Sequence, residues 1–143
     1  MRNFVDNALD SKWLWLLARI LLIVVFLSSG LAKLIDFQGG LAEMRAAGLE
    51  PALFFNIATA VLLLGGSLLI VLDRALWLGA GALAVFMVLA VVIVHRFWAL
   101  PEAQAQVALF WVLEHTSVVG GLIATAIASR LRQRLAASPS RLR

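Results

Sequence analysis

The chain contains no cysteine. This absence excludes a disulfide framework, a thiolate metal site, a thiol nucleophile and dithiol redox chemistry carried by the chain's own side chains. Charged residues are also scarce, at 14% of the sequence, whereas a soluble domain usually carries about 25%. Hydrophobic residues make up 63% of the chain and the mean hydropathy is +0.99, which is more apolar surface than one small core can bury. We therefore expect an integral membrane protein.

Several catalytic and binding motifs are missing as well. The sequence has neither a glycine-rich phosphate loop nor a nucleotide motif, and no Ser-His-Asp arrangement accompanies Ser28 and Ser29. Only two histidines occur. One of them, His115, directly follows Glu114, and neighbours on a regular helix point about 100° apart, which hinders binding of one ion by both. The sequence therefore predicts no metal site, and it leaves any catalytic residue unknown.

Four apolar segments of about 20 residues are present, each long enough to cross a hydrocarbon core of about 30 Å. They run over about 13–34, 51–72, 75–98 and 106–129. Pro51 suits a first helical turn and Pro101 a break between helices, while Asp73 and Arg74 form a two-residue turn. The predicted fold is an all-α integral membrane four-helix bundle. Its divisions are an N-terminal segment (1–12), a four-helix transmembrane domain (13–129) and a basic tail (130–143).

The distribution of lysine and arginine predicts that both termini are cytoplasmic. The inner side then holds eight of these residues, which are Arg2, Lys12, Arg74, Arg130, Arg132, Arg134, Arg141 and Arg143. The outer side holds three, which are Lys33, Arg45 and Arg96. Because the tail arginines directly follow an apolar helix, they favour contact with an anionic inner leaflet over nucleic-acid binding. The tail after about Ala136 is predicted to be disordered.

A cleaved signal peptide is an alternative explanation of the first apolar run, because the small residues of "GLA" directly precede Lys33. Arg19 interrupts this run, however, and three further spans follow it. We therefore expect the first helix to be retained and Lys33 to end it.

The longest connection between spans reads "DFQGGLAEMRAAGLEP". Its mixture of apolar residues with Glu43 and Arg45 predicts a short amphipathic helix that lies on the membrane surface and ends at Gly48. An ordered loop is the alternative, because the segment is short.

Polar side chains recur along one face of three predicted spans. We expect these faces to line the bundle interior, because a charge facing lipid costs about 2.5–3.5 kcal/mol on insertion scales. In the outer half of the membrane they define a candidate ligand-binding set of Ser29, Lys33, Asn56, His95, Glu114 and His115. Two members have structural alternatives, Lys33 as a snorkelling anchor at a span end and His95 as a surface or rim histidine.

Arg19 and Glu114 form a candidate buried charge network. The alternatives are a structural ion pair between the first and fourth helices and a functional role. Their estimated depths differ by roughly 10 Å at about 1.5 Å rise per residue, so a direct pair requires helix displacement or the full reach of the arginine. The glycines Gly30, Gly65, Gly66, Gly120 and Gly121 are expected to be helix-packing residues.

The order and spacing of several segments resemble the DoxX family of small four-helix bacterial membrane proteins, over about residues 17–128. The segments are "ARILLIVVFLSSGLAKLIDF", "AAGLEP", "LLLGGSLLIVLDR", "HRFW" and "FWVLEHTSVVGG". Two departures matter. Many family members carry a glutamate near the positions of Leu62 and Leu63, and a lysine-asparagine pair where this chain has Glu114 and His115. No role of that glutamate is carried over to Leu62 or Leu63.

The resemblance implies a bacterial inner-membrane four-helix bundle. It also implies a redox context, because some family members are linked to quinone-coupled oxidation of sulfur compounds as small subunits or partners of redox proteins. The leading hypothesis is an accessory subunit that binds a quinone or another amphipathic molecule, such as a lipid, beside a redox partner and is not catalytic on its own. The second is a non-enzymatic scaffold or assembly factor, with homo-oligomers as one form. The third is a small transporter or channel subunit that oligomerises and uses Glu114 to carry protons.

Overall fold

A computed structural model describes residues 2–138 of the chain. The helices are α1 (Arg2–Leu9), α2 (Lys12–Ile35), α3 (Phe37–Ala46), α4 (Ala52–Leu72), α5 (Leu76–Ile93) and α6 (Glu102–Ala136), with a 3-10 helix at Phe97–Ala99 before α6. Four of them, α2, α4, α5 with the turn that follows it, and α6, are long and apolar enough to cross a membrane. No strand occurs within the described range. The prediction of an all-α, four-helix membrane protein is confirmed.

Other predictions stay predictions. The orientation, the bacterial inner membrane and the division into three parts are of this kind. Arg141 and Arg143 of the basic tail lie outside the described residues, as does most of the segment predicted to be disordered. The last helix, α6, begins before Gln106 and continues past Ser129 to Ala136, so it is longer than the apolar segment that predicted it.

Local chemistry sets where the helices begin and end. The hydroxyl of Ser11 accepts hydrogen bonds from the backbone N–H of Trp13 and Leu14 at the start of α2, as an N-cap side chain does. Asp36 ends α2 and also caps α3, where its carboxylate accepts from the N–H of Gly39 at 2.9 Å. Because one residue serves both helices, α3 turns back directly from the end of α2.

The four spans pack in chain order, α2 on α4, α4 on α5 and α5 on α6, and a smaller contact between α2 and α6 closes the bundle. Each of the four helices contributes at least one large side chain that is fully buried, for example Phe26, Leu63, Leu83 and Leu122. Most other large apolar side chains of these helices are exposed. In a membrane protein such side chains face lipid, because the bundle is stabilised by close packing and polar contacts rather than by removing apolar groups from water.

Glycines bring α4 and α5 into close contact. A Cβ added to Gly79 of α5 would lie 2.7 Å from the backbone oxygen of Gly66 in α4. A Cβ on Gly30 would lie 2.9 Å from the Leu64 side chain, so α2 packs closely on α4 at this glycine. The packing role predicted for Gly30 and Gly66 is therefore confirmed. Gly65 and Gly120 are different, since a Cβ on either would meet nothing within 4 Å.

The connection after α2 forms the predicted short helix, α3, and Gly48 follows it with a φ of +73°. The prediction that α3 lies on the membrane surface implied that its apolar side faces lipid, but that side faces the bundle. Leu41 and Met44 are buried in a small cluster with Ala52 at the start of α4, and α3 packs on both α2 and α4. The physical reason is the direct turn at Asp36, which brings the apolar side of α3 against the bundle.

Candidate functional site

The polar residues of the interior form two layers. One lies at the end where α2 begins and α6 ends, called the terminal end, and contains Arg19. The other lies where α2 ends and α3 begins, called the α3 end, and contains Lys33. These two residues are fourteen positions apart on α2, which is about 21 Å at about 1.5 Å per residue. The interior between them is apolar, with Phe26 at 1% exposure.

At the α3 end, Lys33 is buried, with 6% of its surface exposed. Its Nζ donates to Oε2 of Glu43 on α3 at 2.6 Å. The ammonium is therefore held beneath α3 by an acidic partner, and the choice between a snorkelling anchor and a site role for Lys33 stays a prediction. Sequence reasoning did not identify Glu43 as this partner, since the pairing depends on α3 folding back over α2.

Asn56 of α4 lies beside this ion pair and is fully buried. Its Nδ2 donates to the backbone oxygen of Lys33 at 3.4 Å, so two members of the predicted set are brought together. Its Oδ1 has no hydrogen-bond partner among the described residues. Gly40 of α3 packs directly on the amide, where any Cβ would collide with Oδ1. The close approach of α3 fills the space that a ligand would need at Asn56.

The Lys33–Glu43 pair predicts unequal effects of its two halves. Glu43→Gln leaves a buried ammonium without its counter-ion, and we expect it to lower the free energy of unfolding by about 2 kcal/mol. Lys33→Met leaves only Glu43, whose side chain is 60% exposed, and is expected to change it by less than about 1 kcal/mol. Unfolding by SDS in mixed micelles measures both.

The double variant Lys33→Met/Glu43→Gln is expected to behave like Lys33→Met alone, because no buried charge is then left unpaired. Arg45→Gln serves as a control, since its ion pair with Glu50 is long, at 4.0 Å, and exposed on both sides. Equal losses in the two single variants would contradict the burial of Lys33 under α3.

The second group at the α3 end is an aromatic cluster of His95, Trp111 and His115. His95 follows the end of α5, and its ring centroid lies 5.0 Å from that of His115 in an edge-to-face arrangement. Trp111 stacks near His95 with a centroid distance of 5.9 Å and an interplanar angle of 20°. The Nδ1 of His115 is buried and has no hydrogen-bond partner among the described residues. The cluster is half-open, because Trp111 is 45% exposed.

Ser29 and Glu114 belong to neither group, because both are exposed on the surface of the bundle. The inward line of α6 repeats every seven residues and consists of Ala108, His115, Leu122 and Ser129. Glu114 is one position off that line, or about 100° around the helix. The prediction that Glu114 faces the interior is corrected by this register.

At the terminal end, Arg19 is 7% exposed and does not pair with Glu114. Its Nη1 donates to the backbone oxygens of Ile70 at 3.2 Å and Val71 at 2.7 Å, and lies 3.8 Å from Oδ2 of Asp73. The last carbonyls of α4 carry the negative end of its dipole and have no partner within that helix. Arg19 therefore acts as an internal C-cap for two of them, and the backbone N–H of Asp73 also donates to the Ile70 oxygen at 3.2 Å.

Asp73 is the centre of this terminal network. It has a left-handed backbone, with φ of 53°, and its carboxylate accepts from Trp15 Nε1 at 2.8 Å and from Ser129 Oγ at 2.5 Å. These bonds join α2, the α4–α5 turn and α6. The sequence showed Asp73 only as a turn residue. The sequence did contain one signal for this pairing, because Asp73 is predicted to lie at the same depth as Arg19.

The predicted single pocket is thus divided into the Lys33–Glu43–Asn56 group and the aromatic cluster. Two surface grooves lie elsewhere. One is at the terminal end between α5 and α6, and the other lies beside the start of α6 near Phe97 and Glu102. Within residues 2–138, no group of three or more histidine, aspartate or glutamate side chains is placed to hold a metal ion.

Comparison with known proteins identifies a family. The DoxX family model matches residues 14–96, which is more than half of the chain. No curated protein and no solved structure matches the chain. The matched segment contains α2 from residue 14 onward, α3, α4 and α5. It includes the Lys33–Glu43–Asn56 group and His95, whereas Trp111 and His115 lie beyond it.

Proposed function

Because the chain belongs to the DoxX family, we propose that it is a membrane accessory subunit that binds the head group of a quinone, or of a similar amphipathic molecule, beside a redox partner. The observation that carries this proposal is the aromatic cluster at the α3 end, in which the buried Nδ1 of His115 has no protein partner among the described residues. A buried polar atom without a partner carries a desolvation cost of about 1–3 kcal/mol. Because Nδ1 is itself buried, a ligand reaches it only after a shift of a side chain in the half-open cluster, and a hydrogen bond to it then removes that cost.

The chemistry of the cluster suits a flat ring that bears carbonyl groups. A neutral imidazole offers one N–H donor and one acceptor nitrogen, so His115 can donate to a ring carbonyl from Nδ1. Trp111 and His95 supply aromatic surfaces at stacking distance, with 5.9 Å between their own centroids. The exposed apolar side chains on α6 around the cluster, such as Phe110 and Leu113, would contact an isoprenoid or acyl tail.

The absence of cysteine determines which steps this proposal assigns to the chain and which to its redox partner. Without cysteine it has no dithiol couple of its own, so electrons would be taken up or released by the redox partner. This chain's residues would bind and orient the ring. Lys33 and Asn56 have a structural role in this proposal, because they hold α3 in place at the same end of the bundle.

The test is quinone binding by the purified protein. Native mass spectrometry after gentle extraction from its own membranes would be followed by titration with a quinone that carries a decyl tail. His115→Phe keeps a ring but loses the nitrogens, and we expect it to weaken binding about tenfold, the equivalent of one hydrogen bond. Ser117→Ala, exposed two residues further along α6, is the matched control and should bind as the wild type does.

Failure of the proposal would be equally clear. If the wild-type protein neither retains nor binds a quinone, and deletion leaves quinone-linked oxidation unchanged, the aromatic cluster is not a head-group site. Equal binding by the wild type and His115→Phe would place any bound quinone elsewhere.

A non-enzymatic scaffold is the second candidate function, and one observation favours it. Both buried cations, Arg19 and Lys33, are satisfied by partners within the chain, as in polar contacts that join helices. In that case His115→Phe would alter stability or assembly with a partner and leave no ligand effect. A transport path through the bundle gains no such support, because Glu114 lies on its outer surface.

A further inference from the structure

A groove of about 770 Å³ lies at the terminal end, between the start of α5 and the last turns of α6. The residues that line it are Ala75, Trp77, Ala126, Ile127, Ser129, Arg130, Leu131, Gln133 and Arg134. The volume is in the range of small-molecule sites, about 300–1,000 Å³. The groove is at the opposite end of the bundle from the aromatic cluster, so its role is independent of the function proposed above.

The polar side of the groove is cationic. Arg130 and Arg134 are four residues apart, so they follow one another on the same side of α6. Among the described residues neither forms an ion pair, and no acidic residue lines the groove. Asp73 also bonds to Ser129, but its carboxylate is already occupied, since it accepts from Ser129 and Trp15 and lies 3.8 Å from Nη1 of Arg19. The two guanidinium groups are therefore available to an external anion.

The start of α5 adds to this positive potential. α5 is an 18-residue helix whose first turn has no side-chain cap, and its N-cap residue Ala75 lines the groove. Uncapped N–H groups and the helix dipole favour an anion at such a terminus. The arginines and the helix terminus thus act on the same space.

The other side of the groove is apolar. Ala126, Ile127 and Leu131 are spaced along α6, and Trp77 stands across from them on α5 with 65% of its surface exposed. Indole rings prefer the depth of lipid headgroups. An apolar wall that continues from a pair of cations toward the centre of the membrane matches a molecule with an anionic head and a hydrocarbon tail.

We propose that this groove is a binding site for one anionic phospholipid, with its phosphate between Arg130 and Arg134 and an acyl chain along Ala126, Ile127 and Leu131. Arginine suits a phosphate group because its planar donors bind two oxygens at once. Free phosphate would use the same donors but would leave the apolar wall uncovered. The proposal therefore assigns the site to a lipid, which supplies both parts.

The experiment is a lipid titration of the full chain in detergent, followed by native mass spectrometry. Phosphatidylglycerol is compared with phosphatidylcholine of the same acyl chains. We expect one phosphatidylglycerol to bind preferentially, and the double variant Arg130→Gln/Arg134→Gln to weaken it about 30-fold, from the usual contribution of two basic residues near a membrane surface. Phosphatidylcholine binding should change little in that variant.

The matched control is the double variant Arg74→Gln/Arg132→Gln, which removes the same charge at the same end but from residues outside the groove. It should keep nearly wild-type affinity for phosphatidylglycerol. Three outcomes would overturn the proposal: equal affinity for the two lipids, equal losses in the two double variants, or displacement of the lipid by millimolar inorganic phosphate. The last would identify a phosphate site that does not recognise the acyl chain.

Discussion

Gly79→Ala is expected to lower the free energy of unfolding by about 3 kcal/mol, the upper part of the usual range for overpacking a well-packed interface. The added Cβ would stand 2.7 Å from the backbone oxygen of Gly66 and 3.0 Å from the Cβ of Leu69. Neither atom can move by a side-chain rotation. The two helices must separate, and this loosens the contacts of Leu76 and Leu83, which are both buried on the same side of α5.

The chain offers a matched control on the same helix. Gly81 is exposed, and a Cβ there would meet nothing within 4 Å. Gly81→Ala should therefore leave stability unchanged or raise it by up to about 1 kcal/mol, because alanine is the better helix former. SDS unfolding in mixed micelles measures both variants. Similar results for the two would mean that α4 and α5 do not approach one another as closely as their glycines permit.

Asp73→Gly is the second change with a large expected effect, a loss of about 3 kcal/mol. Glycine accepts the left-handed backbone at this position, where φ is 53°, so the loss measures the side chain and not strain. The variant removes the acceptor for Trp15 and for Ser129, and it leaves Arg19 without a carboxylate nearby. Hydrogen bonds to a charged group contribute about 1.5–3 kcal/mol each, and part of this is recovered by relaxation of the exposed side of the network.

Asp73→Asn separates charge from hydrogen bonding. Asparagine tolerates the left-handed conformation, its oxygen can accept from Trp15, and its amide can donate to the Ser129 hydroxyl, which also acts as an acceptor. Only the charge near Arg19 is lost, and we expect a decrease of about 1 kcal/mol. Unfolding curves of the two variants are compared directly. If Asp73→Asn were as harmful as Asp73→Gly, the carboxylate charge, rather than the bonds that join three helices, would dominate this network.

The parts of the fold that depend on length and apolarity were predictable. Four apolar segments specify four spans because the hydrocarbon core demands both the length and internal hydrogen bonding. The short helix α3 was predictable from its mixed pattern, but its partner surface was not. Burial of Leu41 and Met44 against Ala52 follows from the shared cap at Asp36, and that cap is a matter of local geometry rather than composition.

For the candidate site, the sequence predicted two pairs of neighbouring residues but not the complete arrangement. His95 with His115, and Lys33 with Asn56, were expected at one end of the bundle and do meet there. Glu114 was misplaced because polar and small residues occur on more than one side of α6, so polarity alone does not fix which line faces inward. The seven-residue repeat through His115 and Leu122 becomes visible only when α5 packs against α6.

The partners of the two buried cations were hidden for another reason. Glu43 and Asp73 both lie in segments that connect the spans, and connecting residues are usually interpreted as solvated. In this chain, two connections place an acidic side chain against the bundle. Glu43 lies 2.6 Å from Lys33, and Asp73 lies 3.8 Å from Arg19. A search for counter-ions in such a protein should include the turns at the depth of each cation.

The two polar layers have a consequence for an energised membrane. A layer spacing of about 21 Å is smaller than a hydrocarbon core of about 30 Å, so the two layers fit within one bilayer and we expect both cations to lie within the voltage drop across it. An unbalanced charge that crosses the whole potential gains or loses about 2.3 kcal/mol per 100 mV. Here each cation has a carboxylate at nearly the same level, so the forces on the members of each pair nearly cancel. We therefore expect the bundle to keep its conformation when the membrane potential rises or collapses.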